Sequence, residues 1–162
     1  MVRLSVGLNL SAKDLLGALD FYILGNDNQI PKGLRHIPPV NTERGLAFLA
    51  LKKLPNGDCV FLKDNLCMVH VVRPSVCAAF PFVFRRDRHD MAWGLSAMKE
   101  ICPGLGKGPE VPPSELVKLG TETLTALSLF TEFVQRWNER TREPRALGLI
   151  ESMLTDERFS GQ

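Results

Sequence analysis

The four cysteines are the residues of this sequence best suited to chemistry, and their spacing is Cys-x7-Cys-x9-Cys-x24-Cys. Four thiolates can close a tetrahedral zinc site or hold an iron-sulfur cluster, and the softness of sulfur allows either. The alternative is four separate core residues, because free cysteine is among the most buried residue types. The four residues are Cys59, Cys67, Cys77 and Cys102.

The residues near these cysteines favour an iron-sulfur cluster slightly over zinc. Cys102-Pro103 is a dipeptide that also ends bacterial ferredoxin motifs. The glycine-rich stretch after it, with Gly104, Gly106 and Lys107, could offer backbone N–H groups and one cation to an anionic cluster. Arg73 could donate hydrogen bonds to a cluster sulfur or pair with a carboxylate, and the two interpretations stay open.

Other candidate sites are weaker. His70 lies three residues after Cys67, a spacing that suits a Cys3His site, but with four cysteines available we expect it to pack beside the site. Lys107 is followed by glycine instead of Ser or Thr, which excludes a P-loop. The basic stretch 85–89 follows three phenylalanines, as in RNA-binding strands, but the small net charge favours a solvated hairpin tip. The sequence identifies no catalytic residue.

Composition and charge limit the class of protein. The 162 residues are 44% hydrophobic and 23% charged, which is typical of a soluble globular domain and excludes a disordered or fibrous chain. The net charge of +2 does not predict a nucleic acid or an anionic membrane as partner. No apolar run is long enough to span a bilayer, and the stretch from Met1 to Ala12 is not a signal peptide. We therefore expect a cytoplasmic protein whose cysteines stay reduced.

The cysteines fall among predicted short strands and turns. Apolar runs at 46–51 and 59–62 flank Pro55-Asn56-Gly57-Asp58, which predicts a tight turn and a hairpin. Alternating apolar residues between Phe80 and Leu95 predict a second hairpin with a polar tip. Pro74 predicts the start of a helical turn that runs to Ala79, because its missing N–H costs nothing there.

Helices are predicted on either side of this segment. Ser11 and Asp14 form a capping-box pattern, and the apolar spacing that follows predicts a helix from Ala12 to Leu24. The prolines and polar residues of 26–44 predict an irregular connection. A long amphipathic helix is predicted from Ser114 to about Asn138, with Glu132 facing Arg136, and a short helix follows Pro144.

Together these elements predict a small α+β protein. We expect a single metal-binding domain over residues 1–162, in which short β-hairpins surround a cysteine metal site. The cysteine-cluster core is expected at about 46–110, and a helical C-terminal part that includes the long helix at about 113–155.

Four motifs stand in order along about fifty residues: GDCVFL at 57–62, CMVHVVRPSVC at 67–77, FPF at 80–82 and CPGLGKG at 102–108. Together they resemble the YkgJ-like cysteine cluster family, a zinc- or iron-chelating domain of the CxxCxxCC type. The family's N-terminal C-x2-C-x2-CC signature has no counterpart here, because no cysteine precedes Cys59. The resemblance implies that the four cysteines hold one metal centre.

The resemblance implies a metal-binding function without naming a reaction. The leading interpretation is a cytosolic protein that carries an iron-sulfur cluster or zinc. One alternative is a zinc-stapled module without enzymatic activity that binds a protein partner. Another is a transferase related to the flagellin lysine methylases, which resemble this family but are longer.

Overall fold

The computed structural model describes residues 1–25, 30, 37–87, 90–96, 102 and 104–159. Within them the chain is a small mixture of helices and short antiparallel strands with one long helix, which confirms the predicted combination of α and β structure. None of the helices in this described part is both long and apolar enough to cross a membrane. The chain divides into two compact units, Met1–Arg73 with Leu129–Gln162 and Pro74–Ser128.

The elements of the first unit come from both ends of the chain. Its N-terminal helices and strands are α1 Val2–Leu8, α2 Ala12–Gly17, β1 Leu19–Ile23, β2 Val40–Thr42, β3 Gly45–Leu51, β4 Leu62–Lys63 and β5 Leu66–Cys67, followed by a 3₁₀ turn at His70–Val72. The second unit contributes α3 Ser75–Ala79, β6 Phe82–Asp87 and β7 Asp90–Leu95. The long helix α4 Pro113–Arg140 runs through both, and α5 Ala146–Thr155 with a 3₁₀ turn at Glu157–Phe159 returns to the first unit.

The capping box at the start of α2 is confirmed, but the predicted length of the helix is wrong. The Ser11 hydroxyl accepts the Asp14 N–H at 3.2 Å, and the Asp14 carboxylate accepts the Ser11 N–H at 3.0 Å. The helix ends at Gly17 and the chain continues as β1, in which Leu19 pairs with Leu51 of β3. Pairing with β3 gives the backbone N–H and C=O groups of β1 their hydrogen-bond partners. This long-range pairing outweighs a local sequence pattern that also suits a helix.

The strand predicted at 46–51 is confirmed as β3, and the predicted hairpin with 59–62 is reduced to a short pairing next to the turn. β3 is the central strand of a sheet of order β1-β3-β2, in which β1 pairs with 47–51 and β2 with 45–47. The predicted tight turn does form: Gly57, at a φ of 88°, donates its N–H to Leu54 at 2.8 Å. After the turn the chain pairs with 52–54: Lys53 forms a bridge with Cys59, the Leu54 N–H donates to the Asp58 carbonyl at 2.8 Å, and the Val60 N–H donates to the Lys52 carbonyl at 2.9 Å.

The first unit is built on two clusters of buried side chains. One joins the sheet to α4 and α5, and α5 also packs on α2. The other lies under α1, α2 and the segment that carries β4 and β5. Their buried members are Val40, Phe133, Val134, Leu149, Met153 and Phe159 in the first cluster, and Leu4, Leu15, Leu19, Val69 and Ile150 in the second.

The second unit contains the hairpin predicted from alternating residues. Phe82 pairs with Leu95 and Phe84 with Trp93, and the rings of Phe82 and Trp93 meet edge to face at 5.8 Å. Residues 88–89 of the predicted polar tip lie outside the described residues. The hairpin packs closely on α4 at Gly120, where a Cβ would overlap the end of the Met91 side chain and stand 2.6 Å from the Phe84 ring. A larger residue at this contact would force these side chains to shift.

The remaining predicted elements agree with the structure in outline. Pro74 is the N-cap of α3, as its position before Ser75 predicts. The long helix begins one residue earlier than predicted and ends at Arg140, and the short C-terminal helix is present. The predicted connection 26–44 includes strand β2, while 26–29 and 31–36 lie outside the described residues.

Candidate metal centre

Cys59 and Cys67 belong to the same short β segment of the first unit. Cys59 follows the turn at Gly57, and its carbonyl accepts the N–H of Leu62 at 2.8 Å. Leu62 in turn pairs with Cys67 across the β4-β5 ladder. One backbone hydrogen bond and one strand pair therefore connect these two cysteines, and both side chains are partly buried.

Cys67 is held in place by packing. Its side chain lies against the second buried cluster of the first unit. The next residue, Met68, is largely exposed, as expected from the alternation of side chains in an extended segment. The Met68 N–H donates to Phe61 at 2.9 Å and continues the pairing beyond the two-residue strands. This packing also supports the interpretation of Cys67 as a core residue.

Cys77 lies in α3 of the second unit, three residues after Pro74. Its N–H and that of Ala78 donate to the Pro74 carbonyl at 2.9 and 3.0 Å, which forms the first turn of the helix. The Cys77 side chain is partly buried, while its neighbour Val76 is exposed. Arg73 is the C-cap of the preceding 3₁₀ turn and is also partly buried, beside the start of this helix.

Cys102 is followed by two tight turns. Its carbonyl accepts the N–H of Leu105 at 2.9 Å, and the carbonyl of Gly104 accepts the N–H of Lys107 at 2.9 Å. Gly106 has a φ of 75°, a conformation that favours glycine. The turns already use the N–H groups of Leu105 and Lys107, and the Lys107 side chain is exposed. The loop thus offers an exposed cation and few unused backbone donors.

The predicted ligands are divided between the units, with Cys59 and Cys67 in the first and Cys77 and Cys102 in the second. In the part of the chain that the structure describes, no group of three or more His, Cys, Asp or Glu side chains is close enough to hold a metal ion. His70 is exposed within its 3₁₀ turn. The ligand set of four cysteines therefore stays a prediction.

The chemistry of the donors suits zinc or iron. Cys59, Cys67 and Cys102 are free thiols in the described structure, and all four cysteines are partly buried. Thiolate sulfur is the preferred ligand of both structural zinc and iron-sulfur clusters. The four residues lie at a bridge, a strand end, a helix start and a turn, where the backbone is hydrogen-bonded and each thiol has a defined position.

Comparison with known proteins gives one match. Residues 26–103 match the CxxCxxCC family model, whose description reads "Putative zinc- or iron-chelating domain". The chain has no significant match among curated proteins or solved structures. The matched segment contains Cys59, Cys67, Cys77 and Cys102. The cysteine-bearing segment of this chain is therefore similar to the zinc- or iron-chelating domains of the CxxCxxCC family.

Proposed function

We propose that this protein binds one metal centre, an iron-sulfur cluster or a zinc ion, through Cys59, Cys67, Cys77 and Cys102. The observation that carries the proposal is the match of residues 26–103 to a family of zinc- or iron-chelating domains. All four cysteines of the chain lie inside that segment. If the four cysteines were unrelated core residues, nothing would require all of them to lie within this segment.

The local structure around each thiol supports the proposal. A metal binds thiolates, so the proton of each ligand must leave on binding, and ligands with fixed positions lose less conformational entropy. Cys59 and Cys67 are connected through the Leu62 backbone, and Cys77 is anchored by the helix that starts at Pro74. We propose a reducing compartment, the cytoplasm, because thiols remain available there.

We propose the iron-sulfur cluster ahead of zinc, because its inorganic sulfides accept hydrogen bonds in addition to those that the thiolates accept. Arg73 is partly buried four residues before Cys77, and Lys107 follows Cys102 within a short loop. Gly104 and Gly106 in that loop have no side chain. These four residues are the proposed surroundings of the cluster. We also propose that the chain is a YkgJ-like member of the family.

Metal and sulfide analysis after purification without oxygen tests the proposal. Iron with an equal amount of acid-labile sulfide and visible absorption would identify a cluster. About one zinc per chain with no visible colour would identify a structural zinc site. A chain that contains neither metal, and takes up neither during anaerobic reconstitution, would contradict the proposal.

Serine substitutions with neighbouring controls identify the ligands. Cys77→Ser should lower the metal content and the melting temperature, because serine is a poor ligand for soft metals. Val76→Ser places the same residue one position earlier in α3, where the side chain is exposed, and should change neither. The same comparison applies to Cys67→Ser and Leu66→Ser in β5. Unchanged metal content in both cysteine variants would exclude this ligand set.

A further inference from the structure

A cavity of about 340 Å³ lies in the first unit, between the end of α4 and the end of α5 with the turn that follows it. This volume is within the range of small-molecule sites, roughly 300–1,000 Å³. The cavity is far along the chain from the cysteines and plays no part in the metal proposal. Its walls combine two aromatic rings, three hydroxyls, two arginines and one carboxylate, that of Asp156.

Arg158 forms hydrogen bonds with Asp156 and a looser ion pair with Glu132. Its Nε donates to Asp156 Oδ1 at 2.8 Å, and its Nη2 donates to the second carboxylate oxygen, so Asp156 is fully engaged. The remaining nitrogen, Nη1, is buried and has no hydrogen-bond partner. The Glu132 carboxylate stands 3.8 Å from it, which is beyond hydrogen-bond distance. One donor of this guanidinium is therefore unused.

Arg136 forms no ion pair within the described residues, although the Asp156 carboxylate lines the same cavity. The sequence predicts that it faces the Glu132 side chain, but its Nε donates instead to the Glu132 backbone carbonyl at 3.1 Å. The Glu132 carboxylate is the one near Arg158, and no carboxylate forms an ion pair with Arg136 in the part of the chain described. Its Nη2 is buried without a partner. A permanently charged group with an unmet donor is costly unless an acceptor completes it.

The apolar walls of the cavity are held rigidly. Trp137 donates its indole N–H to the Asn41 carbonyl at 2.9 Å, and the Phe133 ring meets Phe159 edge to face at 5.7 Å. No hydrogen bond involves the hydroxyls of Thr141 or Ser152 among the residues that the structure describes. The cavity therefore presents a fixed aromatic surface next to unused donors.

We propose that this cavity binds a small molecule that carries an oxyanion, either a phosphate or a carboxylate group. The oxyanion accepts hydrogen bonds from Arg136 and Arg158, and the rest of the molecule packs on Trp137. Planar guanidinium groups match both kinds of oxyanion. Arg136 is half-buried on a helix surface that lines this open cavity, and the ligand would reach its Nη2 after rotation of the side chain. A charge-assisted hydrogen bond is stronger than one between neutral groups.

Fluorescence of Trp137 tests the proposal directly. The chain has two tryptophans, so Trp93→Phe leaves Trp137 as the reporter in the cavity wall. Inorganic phosphate, phenyl phosphate and benzoate are titrated at constant ionic strength, set with sodium chloride. We expect a saturable change with at least one probe, and tighter binding of phenyl phosphate than of inorganic phosphate, because its ring packs on the indole. A higher melting temperature with the same probe provides a second readout.

Matched arginine variants identify the binding group. Arg136→Gln should weaken binding by about tenfold or more, because it removes a charge-assisted hydrogen bond. Arg140→Gln removes the same charge one turn later in α4, outside the cavity, and should leave the affinity unchanged. If Arg136→Gln does not fold, as judged by circular dichroism, Ser152→Ala takes its place and should also weaken binding. No saturable response to any of the three probes, or equal losses in both arginine variants, would overturn the proposal.

Discussion

The two compact units differ in how much apolar surface they bury. In the first unit, helices from both ends of the chain enclose a three-stranded sheet, and fully buried side chains such as Leu15, Leu149 and Val134 fill the space between them. In the described part of the second unit, the buried hydrophobic side chains are Ala79 and Leu116. Apolar side chains that remain largely exposed there include Val76, Phe80, Val83, Trp93, Leu95 and Val117.

This difference shows what each unit needs for stability. Hydrophobic burial is the main favourable contribution to folding, about 1.5–3 kcal/mol for each large side chain that is fully buried. The first unit obtains it from its own core. The second unit is held by a two-stranded hairpin, the contact of that hairpin with α4 at Gly120, and short turns. Small units of this kind usually require a bound metal or a disulfide bond for stability. A metal at Cys77 and Cys102 would meet that need.

The largest effect is expected from leucine truncation in the first unit. Leu149→Ala should lower the free energy of unfolding by about 2–5 kcal/mol, because Leu149 is fully buried and its removal leaves a cavity. Leu95→Ala makes the same chemical change in the second unit, where the side chain is 49% exposed, and should cost less than half as much. Urea denaturation followed by circular dichroism measures both. Equal losses would mean that the second unit has a core of similar strength.

Removing the metal should affect the second unit more than the first. A metal whose free concentration is about 100 times its dissociation constant stabilises the folded state that binds it by roughly 2.7 kcal/mol. After chelation, hydrogen exchange should accelerate at the Cys77 and Leu105 amides, while amides around Val134 stay protected. The Val76→Ser protein serves as a control that keeps all four cysteines. If hydrogen exchange accelerated equally in both units, the metal would not stabilise the second unit more than the first.

Close packing in the first unit should make Gly7 intolerant of even one methyl group. A Cβ on Gly7 would come within 2.9 Å of the Val72 Cβ, and valine has little rotamer freedom to move away. Gly7→Ala should therefore destabilise by about 1–2 kcal/mol, despite the better helix propensity of alanine. Gly17→Ala lies in α2 with nothing within 4 Å of the added methyl, and should be neutral or stabilising. The same sign of change for both variants, measured by thermal unfolding, would disprove this packing constraint.

The smallest effect is expected at the capping box. Hydrogen bonds from the Ser11 side chain and backbone lower the pKa of Asp14 below its usual 3.8. A lowered pKa stabilises the folded state above pH 3.8, and this contribution disappears as the pH falls through the folded-state value. The difference in urea midpoint between the wild type and Asp14→Asn should therefore shrink as the pH is lowered from 7 to below 3.8. In a Ser11→Ala background the pH dependence should be weaker, because only the backbone N–H of residue 11 still donates to the Asp14 carboxylate; an undiminished pH dependence would show that the Ser11 hydroxyl is not its cause.

Several elements could be predicted from the sequence because neighbouring residues determine them. The capping box at Ser11, the turn at Gly57 and the helix start at Pro74 depend on one side chain or one backbone conformation each. The β6-β7 hairpin and α4 follow from long regular patterns of apolar residues. The cysteine positions and the family likeness could also be predicted from spacing, since they are properties of the chain order.

Other features depended on residues far apart in the chain. Leu19–Ile23 suits a helix by its local pattern, and becomes a strand because β3, about thirty residues later, offers an edge to pair with. The sequence likewise predicts Glu132 beside Arg136, whereas the chain after α5 brings Arg158 to the Glu132 carboxylate and Arg136 donates to the Glu132 backbone carbonyl instead. The sequence alone thus determined the short-range elements and the thiols. Long-range packing alone decided the strand pairing and the cavity lined by Arg136 and Arg158. A local sequence pattern does not indicate which distant group will accept a hydrogen bond from a given donor.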